Sequence, residues 1–121
     1  MRPVLIIEDD QLSRESYAAL FEHALGYDVV TAEGGEQALA LLCAGLTPCL
    51  IVLDLSLPQM DGFAFRARQL ADPTLAHCPV LVCSAVLDTA PGLERLKGAA
   101  YLQKPIEPEA FLRLVRALRD P

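Results

Sequence analysis

The chain has 121 residues, 53% of them hydrophobic and 21% charged, which fits one compact domain over 1–121 and excludes a disordered chain. Its formal net charge is −6, so direct binding to nucleic acid, whose phosphates it would repel, is not expected. Only four apolar residues separate Arg2-Pro3 from Glu8, and no apolar run approaches a membrane span; neither a secretory leader nor membrane contact is expected, and the expected location is cytoplasmic.

A first strand is expected over 3–7, apolar throughout and ended by Glu8-Asp9-Asp10. Ser13, Arg14 and Glu15 lead into a helix with Tyr17, Leu20, Phe21, Ala24 and Leu25 at helical spacing, closed by Gly26. A shorter strand follows over 28–32, then Gly34-Gly35 and a helix over 36–44 with Ala38, Leu39 and Leu42 inward. Leu50-Ile51-Val52-Leu53 is a short apolar run of the kind buried on both faces of a sheet, and it runs straight into Asp54. Pro58 and Gly62 punctuate the loop beyond it, and Asp61 can cap the next helix, which Asp72-Pro73 stops after about Ala71. A fourth strand is expected over 79–84, ending in Ser84. Pro91-Gly92 then leaves one or two turns of a fourth helix over 93–97. A brief fifth strand over 100–103 ends at Lys104-Pro105, and Pro108 suits the first turn of a last helix. Phe111, Leu114, Val115 and Leu118 stripe that helix, and Arg113, Arg116 and Arg119 gather where its dipole favours cations. The four cysteines (Cys43, Cys49, Cys78 and Cys83) form no C-x-x-C pair and have no zinc-finger spacing to His23 or His77, so they read as reduced thiols acting as small hydrophobes.

Strands and helices alternate throughout, which predicts a parallel sheet with helices on both faces. In such a sheet the C-terminal strand ends share one edge, where open α/β folds keep their chemistry. That edge would collect Glu8-Asp9, Asp54, Ser84 and Lys104. Each alone is ordinary: a strand end, a cap, a solvated lysine. Together they would place three carboxylates in one crevice. Two charges ~5 Å apart at an effective dielectric of ~20 repel by about 3 kcal/mol, so the cluster takes up protons or binds a cation. Hard oxygen ligands with open positions suit Mg²⁺, which also draws in phosphate oxygens. Asp54 can then act as a nucleophile forming an acyl phosphate, Ser84 as a hydrogen-bond donor to it and Lys104 as a point charge against it.

With these residues in this order, the chain resembles the receiver domain of two-component response regulators over residues 4–118. The resemblance is carried by Glu8-Asp9, by Leu53-Asp54-Leu55-Ser56-Leu57-Pro58, by Met60-Asp61-Gly62, and by Ser84-Ala85, Tyr101 and Lys104-Pro105. It implies an α/β flavodoxin-like, doubly wound sheet of five parallel strands in the order 2-1-3-4-5. It implies that Asp54 accepts a phosphoryl group from a phosphohistidine on a sensor histidine kinase or histidine phosphotransfer protein. Mg²⁺ would be held by Glu8, Asp9, Asp54 and the backbone carbonyl of Ser56, Asp9 directly and Glu8 mainly through water, with Asp10 outside the ligand set. The Lys104-Pro105 bond would be cis. Ser84 and Tyr101 would form the switch: the phosphoryl charge draws the hydroxyl in and the ring follows.

Two departures stand out. Only 16 residues separate Ser84 from Tyr101, so the fourth helix should be short or irregular, which puts the usual output face of the family in doubt. Val86, two residues past Ser84, sits where the family tunes dephosphorylation, and an apolar side chain cannot orient an attacking water. Three other readings compete. A haloacid-dehalogenase-like phosphatase wants a second Asp where this chain has Ser56. A flavodoxin wants a phosphate loop where Glu8-Asp9-Asp10 would repel the ligand. A docking module of the same fold, independent of phosphorylation, gains from an irregular fourth helix and loses from the intact site residues.

Overall fold

The computed structural model describes residues 2–55, 57, 60–84 and 99–119. Expectations that rest on Ser56, Pro58, Val86, Pro91-Gly92 or a fourth helix at 93–97 lie outside the described residues. The strands are β1 (Val4–Ile7), β2 (Val29–Ala32), β3 (Leu50–Leu53), β4 (Val80–Ser84) and β5 (Ala100–Gln103). The described helices are α1 (Gln11–Ala19, continued by a π turn at Leu20–Ala24), α2 (Gly35–Cys43), α3 (Gly62–Ala71) and, last, α4 (Pro108–Arg119).

All strand pairs are parallel, and the order is β2-β1-β3-β4-β5, the flavodoxin-like order. The three central strands are buried at every residue, which is why they read as unbroken apolar runs. Their side chains divide by the two-residue period of a strand. Leu5, Ile7, Ile51, Leu53, Val80 and Val82 meet Ala38 and Leu42 of α2 and Phe65 of α3 on one face. Val4, Ile6, Leu50, Val52, Leu81 and Cys83 meet Tyr17 and Phe21 of the first helix and Phe111 and Val115 of α4 on the other. Aromatic packing fixes this second face: Tyr17 stacks on Phe111 with centroids 5.6 Å apart, and Phe21 meets Phe111 edge-on at 5.4 Å.

Local chemistry sets most of the boundaries. Asp10 caps α1 by accepting from the Ser13 amide at 2.9 Å, so the helix begins at Gln11, ahead of the Ser13 start that the sequence implied. Asp61 caps α3 in the same way through the Ala64 amide at 2.8 Å. The first helix ends in a wider turn, with Tyr27 N–H donating to Phe21 O at 3.0 Å and Gly26 at φ +70°. Rotation per residue is smaller in that turn, and Ala24, placed by its spacing on the apolar stripe, is exposed. The four cysteines are free thiols. Among the described residues no helix is long and apolar enough to cross a membrane.

Candidate functional site

Backbone hydrogen bonds carry the sheet past its formal strand ends and bring the polar residues to one edge. Glu8 N–H donates to Ala32 O at 3.0 Å, Asp54 N–H to Ile7 O at 3.1 Å and Lys104 N–H to Ser84 O at 2.8 Å. Asp54 is thereby held beside the end of β1, and Lys104 beside the end of β4. Glu8, Asp54 and Ser84 are buried, at 1%, 6% and 0% exposure, while Asp9 is exposed. One carboxylate oxygen each from Glu8, Asp9 and Asp54 all lie within 4.8 Å of one another. Lys104 Nζ donates to Glu8 Oε1 and lies 3.6 Å from Asp54 Oδ2.

Among the described residues one ammonium thus faces three carboxylates, and the excess negative charge and burial bear on Glu8, Asp9 and Lys104. Burial pushes the Glu8 carboxyl up and the Asp54 charge adds to it, against the opposing bonds from Lys104 and the Asp10 amide. Asp9 is also pushed up, by desolvation and by its bond to Glu8. Burial alone would lower the Lys104 ammonium, but its bond to Glu8 and the Asp54 charge outweigh that and hold it above its ordinary value. A net-negative set of oxygen donors, partly buried and open on the Asp9 side, fits a hard divalent cation such as Mg²⁺.

Other expected residues fall around this centre. Asp10 is engaged as the α1 cap and stands outside the cluster. Ser84 ends β4 opposite Gln103, and Tyr101 sits opposite Val82, half-buried against the face that carries α2 and α3. The Lys104-Pro105 bond is cis. The Ser56 carbonyl lies outside the described residues. Gly62 packs directly against the Asp54–Leu55 backbone. Its amide donates to Leu55 O at 2.9 Å, and a Cβ there would stand 2.6 Å from Asp54 O and 2.7 Å from Leu55 Cα.

Arg14 was not among the candidates from sequence. Its Nη1 donates to Glu8 O at 3.0 Å and to Asp9 O at 3.4 Å, and its Nη2 lies 3.8 Å from Glu33 Oε1. The available signal was a cation in the first turns of the helix that follows an acidic pair.

A family model described as the response regulator receiver domain matches residues 4–116. The DNA-binding dual master transcriptional regulator RpaA of a Synechocystis species is 38% identical over 120 residues, covering 98% of this chain and 49% of that protein. This chain therefore spans about half the length of that curated relative. The solved structure of chemotaxis protein CheY4 of Vibrio cholerae superposes with a TM-score of 0.87 at 27% identity, over 98% of both chains. The phosphorylated cyanobacterial phytochrome response regulator RcpA superposes with a TM-score of 0.78 at 27% identity, over 98% of this chain and 91% of that one.

Proposed function

Since the chain belongs to the response regulator receiver domains of two-component signalling, we propose that Asp54 is its phosphoacceptor and that the protein passes on a signal as an aspartyl phosphate. The donor is a phosphohistidine on a sensor histidine kinase or histidine phosphotransfer protein. The observation that carries this reading is the setting of Asp54: at the end of β3, buried, within 4.8 Å of two other carboxylates and ion-paired to Lys104 at 3.6 Å. That a structural neighbour is described in its phosphorylated form supports it.

A carboxylate oxygen of Asp54 attacks the phosphorus, a P–O bond forms, the P–N bond of the phosphohistidine breaks, and the leaving nitrogen keeps the electron pair. Glu8, Asp9 and Asp54, with the Ser56 carbonyl, would hold Mg²⁺, which supplies charge neutralisation for the phosphoryl oxygens. Lys104, already poised between Glu8 and Asp54, keeps its proton and charge and shifts its ion pair to an oxygen of the incoming phosphoryl group. The Ser84 hydroxyl donates to a phosphoryl oxygen, and Tyr101 on the neighbouring strand answers its movement as the switch. In this role the domain catalyses only its own phosphorylation and dephosphorylation.

The test is intact-mass spectrometry after incubation with acetyl phosphate and Mg²⁺. Wild type is expected to gain one phosphoryl mass, and Asp54→Ala or added EDTA to abolish the gain. Failure to gain mass from either acetyl phosphate or a phosphohistidine donor, with circular dichroism showing an intact fold, would overturn the reading.

A further inference from the structure

We propose that Arg14 is a positioning residue that fixes the acidic loop through its main chain, setting the spacing of Glu8 and Asp9 without touching donor or acceptor; this rests on the reading of Glu8, Asp9 and Asp54 as the Mg²⁺ site. Asp9 is the exposed member of that set, so beyond its bond to Glu8 the placement of its carboxylate depends on the backbone that carries it. The sheet ladder holds the chain as far as the Glu8 amide, which donates to Ala32 O at 3.0 Å. The helix takes hold at Asp10, whose side chain accepts from Ser13 N and whose carbonyl accepts from Arg14 N at 2.9 Å. Between these two anchors lie the carbonyls of Glu8 and Asp9, and Arg14 Nη1 reaches both, at 3.0 and 3.4 Å.

The Arg14 side chain is only 15% exposed, and its second nitrogen points to Glu33 in the turn after β2. One guanidinium therefore joins α1, the loop after β1 and the turn after β2. A planar fork spreads five donors over three nitrogens and so spans two carbonyls and a carboxylate that point to different nitrogens, whereas a lysine would have to gather all three acceptors around one nitrogen. The loop needs such a hold because three like charges within 4.8 Å press it apart. Groups that orient metal ligands from behind typically change metal affinity by about 10–100-fold when removed.

The experiment compares wild type, Arg14→Ala, Arg14→Lys and Glu33→Gln by calorimetric titration with Mg²⁺ and by phosphorylation from acetyl phosphate as Mg²⁺ is raised. Arg14→Ala is expected to bind Mg²⁺ about tenfold more weakly. At saturating Mg²⁺ its phosphorylation rate returns to within about twofold of wild type, the split expected of a residue that acts through the ligands alone. Arg14→Lys recovers part of the affinity, and Glu33→Gln, which removes only a pair whose carboxylate is 75% exposed, matches wild type. Wild-type Mg²⁺ affinity in Arg14→Ala overturns the proposal. If that variant fails to fold by circular dichroism, wild-type affinity in Arg14→Lys overturns it equally. Absence of Mg²⁺ binding by wild type itself is a different failure: it overturns the site reading, and the positioning role with it.

Discussion

Among the described residues, Asp54 has two like charges and one opposite charge close by, and that imbalance bears on what its removal should do. Glu8 and Asp9 lie within 4.8 Å and Lys104 at 3.6 Å. At an effective dielectric of ~20, with the exposed Asp9 discounted for screening, the repulsions exceed the attraction by on the order of 1 kcal/mol. Asp54→Asn is therefore expected to raise Tm by a few degrees in EDTA, while losing most of the further rise that Mg²⁺ gives wild type; a Tm below wild type in EDTA would contradict this balance. The pH dependence follows from Glu8. Its folded-state pKa is raised above 4.5, so the metal-free fold gains stability as pH falls through the folded value toward 4.5 and gains nothing further below it. Lys104 is raised above 10.5, so its contribution is complete at neutral pH and lost only in the alkaline range. Metal ligands must be deprotonated, so the increment from Mg²⁺ runs the other way and should be smaller at pH 4.5 than at pH 7.5. Thermal scans with and without Mg²⁺ at the two values check this, and an increment that stays constant counts against it. Val86 makes a separate residue-scale case. Without a polar side chain two residues past Ser84, the aspartyl phosphate should be long-lived, and Val86→Glu should shorten its half-life severalfold in a decay assay. Decay at least as fast in wild type as in the variant rejects it.

The junction of β3 with α3 fixes the backbone at Asp54. Gly62 opens α3 with its Cα against the Asp54–Leu55 backbone, where an added Cβ would meet Asp54 O at 2.6 Å. Backbone cannot yield as a flexible side chain would, so Gly62→Ala should cost about 1–3 kcal/mol and also slow phosphorylation of Asp54. Asp61→Ala removes only the cap, costs about 1 kcal/mol and should leave the rate alone. Equal rates in both variants would show that the close approach does not position Asp54. This junction also marks how far the sequence could be read. The run from Leu50 to Leu53, the cap at Asp61 and the stop after Ala71 follow local rules, and the structure has them where those rules put them. That Gly62 punctuates a loop was legible; that its Cα lies against the Asp54–Leu55 backbone was not, because two elements must first be packed. The π turn at Leu20–Ala24 escaped for a similar reason. It lies where Phe21 meets Tyr27 and Phe111, contacts made across elements that no helical period encodes. Arg14 was named only as a helix residue, since its role depends on where two backbone carbonyls point.

At the scale of the whole molecule, strand order turns distant residues into neighbours: Glu8 and Lys104, 96 positions apart, share a hydrogen bond because β1 and β5 end on the same sheet edge. The convergence of carboxylates, hydroxyl and ammonium could be foreseen from alternation alone, since every parallel strand must end on that edge. Its electrostatic consequence is not confined to the pocket. The chain carries a net charge of −6 and presents its acidic cluster where, on the proposed function, a phosphoryl donor would arrive. A small anionic donor therefore approaches against both the local carboxylates and the field of the whole domain. Lys104, and Mg²⁺ if it binds as proposed, would offset the local part, but the remaining charges act over the Debye length, which falls from about 30 Å at 0.01 M salt to about 10 Å at 0.1 M. Phosphorylation by acetyl phosphate at saturating Mg²⁺ should thus speed up over that range, by a few-fold in kcat/KM, because screening removes repulsion rather than attraction. A charge-reducing change remote from the pocket, Glu22→Gln on the exposed side of the first helix, should flatten the salt dependence slightly without altering the rate at 0.1 M. A rate that falls with salt would mean that the donor is drawn in by a local positive field, and would place Lys104 and Arg14, rather than the net charge, in control of the encounter.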